Sequence, residues 1–365
     1  MRPEFIVSAL AAAQGAAGRT IATRQVSGVL DSPEQFALFA QYSFSSYCKQ
    51  LHDTSLNTPV CTNSDKTPCP NFENATTVAE FAANDRFQIG GFVAKNPGQQ
   101  HIAVVFKGTD SAGDIATDAA IDQIDSDLCE GCKVHKGFGR AFNEIQGQLE
   151  QTIKTEKAVP GQENWRLVVT GHSLGAGVAT IAGSSLRKQG MALDMYLYGS
   201  PLVGNDKFAK FVSSQGGGFT ARITNARDPV TAIPKNPLSP KTYKHISPEF
   251  WFADGVEGPQ GLYTTSRQVC SGEKDCTSAS CAKLSKGILL SGCNFTDHTR
   301  YAADLKPCDG LQGSTPLDII PGLNDTLEAA KENKDKKKDK KKDKKKDKKK
   351  DKKKGKSRER IVHLE

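Results

Sequence analysis

Residues 165–175 read Trp-Arg-Leu-Val-Val-Thr-Gly-His-Ser-Leu-Gly, a short apolar run that leads directly into a serine flanked by glycines. The run from Trp165 to Thr170 is short, rich in valine and bounded by a turn signal, which is typical of a buried strand. The small and apolar residues from Gly175 to Leu186 predict a helix that packs closely on a neighbour. This stretch therefore predicts a strand, a sharp turn at Ser173 and a helix.

Segments on both sides of this unit predict further strands and helices. Ser32 followed by Pro33 predicts a helix start, with serine as the N-cap and proline in the first turn. Apolar residues at intervals of three and four from Phe138 to Ile153 predict an amphipathic helix. The other predicted strands are 87–93, 102–106, 194–198 and 220–224. Strands that alternate with helices predict an α/β fold, with a mostly parallel central sheet and helices on both faces.

The net charge of +8 is unevenly distributed along the 365 residues. Residues 331–360 hold 20 Lys and Arg against 7 Asp and Glu, a surplus of 13, so the rest of the chain carries about −5. Their DKKK repeat contains nothing to bury, and a period of four places like charges at i and i+4 of any helix. We expect residues 323–365 to form a disordered, lysine-rich tail that binds anionic surfaces; proteolytic removal of the tail is the alternative.

The chain contains ten cysteines, and this number indicates an oxidising compartment. So many cysteines are rare in cytosolic proteins, and their even number predicts five disulfides. The alternative is a zinc site at Cys129-Glu-Gly-Cys132, but no second CxxC and no suitably spaced histidines accompany it. The ten cysteines lie at positions 48, 61, 69, 129, 132, 270, 276, 281, 293 and 308.

The N-terminus resembles an export signal. Arg2 precedes an apolar stretch from Phe5 to Ala13, and small residues continue through Ala17. The alternative is an ordinary disordered terminus. We expect a signal peptide at 1–18, a pro-segment at 19–30 and one α/β domain at 31–322 of a secreted, extracellular protein. Acceptor sequons at Asn74, Asn294 and Asn324 agree with secretion.

The serine at the predicted turn has the sequence context of a nucleophile. In Gly171-His172-Ser173-Leu174-Gly175 the glycines leave room for a strained bend between strand and helix. A serine hydroxyl needs a histidine as base and an acid that orients the histidine, in the chain order serine, acid, histidine. The context favours a catalytic Ser173 over a chance match.

Several residues compete for the acid and the base. Asp228 follows a predicted strand and precedes Pro229, which favours it over Asp206. His298 lies between Cys293 and Cys308, whose disulfides would fix its position. His245 lies among aromatic residues that suit a structural histidine, and His363 lies in the tail. We therefore predict Asp228 and His298 as the partners of Ser173.

Two backbone groups are candidates for the oxyanion hole that an acyl-transfer enzyme needs. Leu174 offers its N–H at the start of the helix after Ser173. Thr109 follows the predicted strand 102–106 and offers both its N–H and its hydroxyl. The alternative for Thr109 is an ordinary turn residue.

Seven motifs occur along the chain: FKGT (106–109), CEGC (129–132), HKGF (135–138), TGHSLGAG (170–177), YGSPLVGN (198–205), SPEFW (247–251) and FTDH (295–298). Together with the strand and loop around Asp228, these motifs resemble those of the class 3 lipases of filamentous fungi, a family that includes feruloyl esterases and mono- and diacylglycerol lipases. The resemblance spans about residues 30–310 in the family's motif order. It implies an α/β-hydrolase fold with a short lid, the triad Ser173, Asp228 and His298, and an oxyanion hole of Thr109 and Leu174.

The resemblance also implies disulfides and a lid. It pairs Cys48 with Cys308, Cys61 with Cys69, and Cys129 with Cys132, and leaves three pairings open for cysteines 270, 276, 281 and 293. The implied lid, about 111–122, holds two Ile, three Asp and no aromatic residue. Because so little apolar surface is available to bury in lipid, we expect weak interfacial activation.

Three functions are consistent with these features. The first is a triacylglycerol or acylglycerol lipase that acts through an acyl-enzyme on Ser173. The second is a feruloyl-type or short-chain esterase with the same triad, and the third is a non-enzymatic surface-binding protein. The intact set of catalytic residue types favours an enzyme. We expect a monomer with a lipid or other ester substrate, transient contact with a lipid interface, and no cofactor or metal.

Overall fold

A computed structural model describes residues 30–48, 51, 56–60, 74–82, 90–108, 122–234, 242–255, 267–271, 276 and 295–301. Nearly all of the predicted signal and pro-segment, the lid up to residue 121, Thr109 and the lysine-rich tail lie outside these residues. Within them, none of the helices is long and apolar enough to cross a membrane.

Eight strands form one mixed sheet in the order β1-β2-β3-β6-β7-β8-β9-β10. The pairs from β3 to β9 are parallel, and the pairs at the two ends of the sheet are antiparallel. A separate hairpin consists of β4 and β5. The strands are β1 (Thr76–Ala82), β2 (Gly90–Asn96), β3 (His101–Phe106), β4 (Gln123–Asp125), β5 (Lys133–His135), β6 (Arg166–His172), β7 (Asp194–Tyr198), β8 (Thr220–Asn225), β9 (Glu249–Phe252) and β10 (Arg267–Cys270).

Helices cover both faces of this sheet, which confirms the predicted fold class. Helix α1 packs on one face against β6 and β7, and α3 packs on β6 and β7 from the other face, where α2 lies against it. The helices are α1 (Pro33–Ser45), α2 (Lys136–Lys157), α3 (Leu174–Lys188), α4 (Asp206–Ser214) and the single turn α5 (Phe295–His298).

Strand β3 shows why the sheet has two cores. Successive side chains of a strand point to opposite faces. Accordingly Ile102, Val104 and Phe106 lie in the core under α2 and α3, whereas Ala103 and Val105 lie in the core under α1. A strand that is buried on both faces has no polar side, which explains its continuous apolar sequence.

The helix starts and the strand bounds agree with the sequence patterns, with small differences. Ser32 caps α1 by accepting the N–H of Gln35 at 3.4 Å. The strand predicted at 87–93 runs instead from Gly90 to Asn96, and residues 87–89 are outside the described part. Strands β1, β4, β5, β9 and β10 were not predicted. The difference arises because these strands are short, polar or at the edge of the sheet.

The structure describes two disulfides. Cys129 and Cys132 are bonded, which confirms the implied pair and removes the zinc alternative. Cys270 is bonded to Cys276, which settles one of the pairings that the sequence left open. Cys48 is also disulfide-bonded, and its implied partner Cys308 lies outside the described residues.

Candidate active site

Ser173 occupies the bend between β6 and α3. Its backbone has φ 59° and ψ −129°, a conformation that a side-chain-bearing residue adopts only when its surroundings enforce it. Its N–H donates to the carbonyl of Tyr198 at the end of β7, at 2.9 Å. The bend therefore holds the hydroxyl at the carboxyl end of the parallel strands, where α/β sheets place their ligand sites.

Two glycines make this bend possible. A Cβ built on Gly175 would lie 2.3 Å from the carbonyl oxygen of Phe106. A Cβ on Gly171 would lie 2.7 Å from the carbonyl of Gly175. Because the atoms in the way are backbone atoms, any larger residue at either position would push α3 away from β3 or β6.

His298 links the serine to an acid. Its Nε2 lies 2.9 Å from Ser173 Oγ, and its Nδ1 lies 2.8 Å from Asp228 Oδ2. The serine is 3% exposed, the histidine 1% and the aspartate 0%. The structure thus brings together, across 125 and 70 residues of sequence, the three side chains that the sequence selected.

The loop after β8 holds the carboxylate of Asp228 rigidly. Its Oδ1 accepts the N–H of Val230 at 2.8 Å. Its Oδ2 accepts the hydroxyl of Tyr301 at 2.8 Å in addition to facing His298. Tyr301 in turn accepts the N–H of Asn225 at 2.9 Å. An ionised carboxylate is only an acceptor, so His298 Nδ1 carries a hydrogen and Nε2 is left to accept the serine hydroxyl.

His172, directly before the serine, lies against His298. Its Nε2 is 2.8 Å from the carbonyl oxygen of His298, and its Nδ1 is 3.0 Å from the hydroxyl of Tyr47. Burial lowers the pKa of His172 well below its ordinary value of 6.5, and the neighbouring His298 lowers it further, against a smaller opposing effect of their hydrogen bond. The ring of His172 is therefore uncharged at neutral pH.

The competing residues lie elsewhere. Asp206 is the first residue of α4 and pairs with Lys210 at the surface. His245 Nε2 lies 2.6 Å from the carbonyl of Thr231. His363 lies outside the described residues. The structure brings neither Asp206 nor His245 to Ser173.

The structure describes one of the two candidates for the oxyanion hole, Leu174, and does not describe the other, Thr109. Leu174 begins α3, where a backbone N–H has no carbonyl four residues earlier to bond. Thr109 lies outside the described residues, but its neighbour Gly108 is close to the serine. A Cβ on Gly108 would lie 3.2 Å from Ser173 Cβ and 2.2 Å from Tyr47 Oη. Gly108, the residue before Thr109, therefore lies directly beside Ser173.

Sequence reasoning missed Tyr301, Tyr47 and the contact of His172 with His298. Tyr301 follows His298 by three residues, a spacing that places both on one side of a helical turn, and this signal was available. No sequence pattern identified the contacts of His172, because its partners Tyr47 and His298 are 125 and 126 residues away. Among the described residues, no group of three or more His, Cys, Asp or Glu has an arrangement that would hold a metal ion.

The arrangement of Ser173, His298 and Asp228 can support nucleophilic attack assisted by a general base. The imidazole is placed to take the proton of Ser173 Oγ as that oxygen attacks an electrophile. The buried carboxylate stabilises the imidazolium that results, and fixes its tautomer. The geometry suits acyl transfer through a covalent intermediate on the serine.

Comparisons with known proteins agree with this chemistry. The family model described as lipase (class 3) matches residues 103–237. The chain is 33% identical over 256 residues to a secreted mono- and diacylglycerol lipase of Fusarium solani, covering 70% of this chain and 73% of that protein. It is 33% identical over 221 residues to a secreted mono- and diacylglycerol lipase of Penicillium camembertii, covering 60% and 70% of the two chains.

A solved structure shows the same fold. The mono- and diacylglycerol lipase from Aspergillus oryzae superposes with a TM-score of 0.63 at 28% identity, covering 74% of this chain and 98% of that one. The relatives are secreted lipases, and the two disulfides described here are consistent with secretion.

Proposed function

This chain belongs to the class 3 lipase family and is a carboxylic ester hydrolase, and we propose that it acts on acylglycerols through an acyl-enzyme on Ser173. The observation that carries the residue assignment is the chain of contacts from Ser173 Oγ through His298 to Asp228, at 2.9 and 2.8 Å.

In the acylation step Ser173 Oγ attacks the ester carbonyl carbon, and its proton moves to His298 Nε2. The N–H of Leu174, together with Thr109, which follows β3 in the sequence, donates hydrogen bonds that stabilise the negative charge developing on the carbonyl oxygen. The ester C–O bond then breaks, and the leaving glyceride oxygen takes the proton from His298. Asp228 remains ionised throughout and stabilises the imidazolium.

In the deacylation step water replaces the glyceride. His298 Nε2 takes a proton from the water as its oxygen attacks the acyl carbon. The Ser173 ester bond breaks, and the proton returns to Oγ. The products are a carboxylic acid and the free enzyme, so every atom is accounted for by the ester, one water and the triad.

Partial glycerides are the proposed substrate class. The support is that the relatives are described as mono- and diacylglycerol lipases, and that the lid sequence at about 111–122 offers little apolar surface to an oil droplet. The same lid composition favours the second candidate, a feruloyl-type or short-chain esterase. Both candidates use the same triad, so only the acyl group and the alcohol separate them.

We also propose where the enzyme acts. We place it outside the cell, with the support of its ten cysteines and its secreted relatives. We also propose that the lysine-rich tail, 323–365, with its surplus of 13 positive charges at 331–360, holds the enzyme on anionic lipid. Each lysine near such a surface contributes about 1 kcal/mol of attraction at moderate salt.

The test of substrate class compares esters on the full chain and on a Ser173→Ala variant. The esters are nitrophenyl esters of increasing acyl length, a monoglyceride, a diglyceride, a triglyceride emulsion and methyl ferulate. We expect the highest kcat/KM on the partial glycerides, and a loss of roughly six orders of magnitude in kcat for Ser173→Ala. Hydrolysis confined to ferulate would overturn the lipid assignment, and unchanged hydrolysis by the variant would overturn the mechanism.

The test of the tail compares the full chain with a chain that ends before Leu323. We expect both to hydrolyse a soluble short-chain ester equally, and only the full chain to sediment with vesicles that contain anionic lipid. Binding of both forms, or of neither, to those vesicles contradicts the tail assignment.

A further inference from the structure

His172 has both ring nitrogens engaged and is peptide-bonded to the nucleophile. One nitrogen contacts the backbone of His298 and the other contacts Tyr47, at 2.8 and 3.0 Å. The rings of His172 and His298 lie next to each other in a tilted arrangement, with centroids 4.5 Å apart and an angle of 34° between their planes. The side chain of His172 therefore joins the backbone next to Ser173 to the backbone of His298.

The contacts determine the tautomer of His172. A carbonyl oxygen only accepts, so Nε2 of His172 carries the hydrogen that it donates to His298. Because burial keeps the ring neutral, Nδ1 has no hydrogen and accepts the hydroxyl of Tyr47. Loss of that hydroxyl would remove the group that selects the Nε2–H form.

We propose, on the basis of the function proposed above, that His172, oriented by Tyr47, is a positioning residue that sets the distance between His298 Nε2 and Ser173 Oγ. His298 is the last residue of the single turn α5, where a carbonyl has no partner within the helix. The hydrogen bond from His172 satisfies that carbonyl. It also ties α5 to the end of β6, so that the base and the nucleophile move together.

The positioning role also requires that the His172 ring carry no charge. Acylation places a positive charge on the His298 ring, whose centre is 4.5 Å from the centre of the His172 ring. A second positive charge at that separation would oppose proton transfer from the serine. A neutral ring whose only hydrogen points at a carbonyl positions His298 without adding that repulsion.

A second histidine–tyrosine pair in the same chain provides a matched control. His101, at the start of β3, is buried and lies 2.9 Å through Nε2 from the hydroxyl of Tyr42. Burial lowers its pKa as it does for His172. Tyr42 and Tyr47 belong to the same part of the chain, at and just after α1. His101 has the same chemistry and burial but no contact with the triad.

The experiment measures kcat, KM and melting temperature on a soluble nitrophenyl ester for two sets of variants. The test set is His172→Leu, His172→Gln and Tyr47→Phe, and the control set is His101→Leu and Tyr42→Phe. A second readout is the rate at which a nitrophenyl phosphonate inactivates each variant, because that rate reports the reactivity of Ser173 without deacylation.

We expect His172→Leu to lower kcat and the inactivation rate by about 10- to 100-fold with KM changed less than twofold, because a misplacement of about 1 Å has this effect. Glutamine carries an N–H at similar reach, so His172→Gln should recover most of the rate. Tyr47→Phe should lower kcat by about 3- to 10-fold. The control variants should lower the melting temperature by a similar amount with kcat within twofold of the unmodified chain.

Three results would overturn the positioning role. They are a His172→Leu kcat no lower than that of the controls, a His172→Gln kcat as low as that of His172→Leu, or a loss expressed only in KM. If His172→Leu does not fold, the Tyr47→Phe variant tests the proposal instead, because it removes a single oxygen atom. A Tyr47→Phe kcat equal to the Tyr42→Phe kcat then overturns the proposal. If Ser173→Ala is inactive and His172→Leu has the kcat of the unmodified chain, the positioning role of His172 fails and the proposed triad stands. If Ser173→Ala is active, the proposed triad itself fails.

Discussion

Tyr301 donates its hydroxyl hydrogen to Asp228 Oδ2 at 2.8 Å, on the same carboxylate oxygen that faces His298. The acid is thus fixed by two side-chain donors and, on its other oxygen, by the N–H of Val230. The tyrosine orients the carboxylate toward the imidazole, and its own oxygen is held in place by the N–H of Asn225.

Replacing Tyr301 with phenylalanine should lower kcat by about 3- to 10-fold, because one hydrogen bond to a charged group is lost while the ring remains. KM should change little. The matched control is Tyr196→Phe, which removes a buried hydroxyl bonded to the carbonyl of Leu30 and to Arg166, away from the triad. Equal kcat losses in the two variants would show that Tyr301 has no specific effect on the acid.

Replacing Gly175 with alanine should abolish activity and lower the yield of folded protein. The added methyl would lie 2.3 Å from the carbonyl oxygen of Phe106, so the backbone of α3 or of β3 would have to shift. Gly147→Ala is the control, because its Cβ meets nothing within 4 Å and it lies inside α2. That change should raise the free energy of unfolding by about 0.5–1 kcal/mol. A folded, active Gly175→Ala enzyme would contradict the tight bend.

Replacing Glu249 with glutamine should destabilise the fold by about 3 kcal/mol, since it leaves the charge of Arg222 buried without its carboxylate. The two side chains are each 1% exposed and lie 3.1 Å apart. Glu249 also accepts the N–H of Cys276 at 2.6 Å, so the loop closed by Cys270 should become more open to proteases. Denaturant unfolding measures the first effect and limited proteolysis the second.

An exposed ion pair provides the comparison for that prediction. Lys133 and Asp125 lie 2.6 Å apart with their side chains 47% and 85% exposed. Asp125→Asn should therefore change the free energy of unfolding by less than about 1 kcal/mol. A Glu249→Gln variant no less stable than Asp125→Asn would show that the buried pair contributes little.

His101 should make stability depend on pH between about 6.5 and 4. Burial first, and the charge of Arg166 second, lower its pKa to about 4 in the folded protein, below the ordinary value of 6.5. Above pH 6.5 both states hold the neutral ring. As the pH falls from 6.5 to 4, the unfolded chain takes up a proton that the folded protein does not, so folding loses about 3 kcal/mol.

The measurement is the free energy of unfolding at several pH values for the unmodified chain and for His101→Gln. The variant should lose about 3 kcal/mol less than the unmodified chain on going from pH 7.5 to 4, since its side chain does not titrate. Two curves that run parallel over this range would contradict the buried, neutral histidine.

The residues that specify the fold could be recognised in the sequence for physical reasons. Strands β3 and β6 are buried on both faces and therefore read as continuous apolar runs. The glycines at 171 and 175 are required by backbone contacts that any protein with this bend must make. The order of Ser173, Asp228 and His298, each placed after a strand or beside cysteines, was enough to select them from a small number of alternatives.

The features that the sequence did not predict depend on contacts between residues that are distant in the chain. Strand β10 is largely exposed and, among the described strands, pairs with β9 alone, so its four residues show no periodicity. The bond between Cys270 and Cys276 was one of three pairings, because spacing alone does not determine connectivity. The roles of His172 and Tyr301 depend on which groups the folded sheet places beside them, and a buried histidine or tyrosine has the same sequence signature whatever its partner.

The central claim is that His298 activates Ser173, and it is tested most directly by identifying the residue that a nitrophenyl phosphonate modifies. Peptide mass spectrometry should find one phosphonate per chain on Ser173, with activity lost in proportion to labelling, and no labelling in His298→Ala on the same time scale. Loss of activity with the label on another residue, or full labelling of Ser173 with activity intact, would contradict the account.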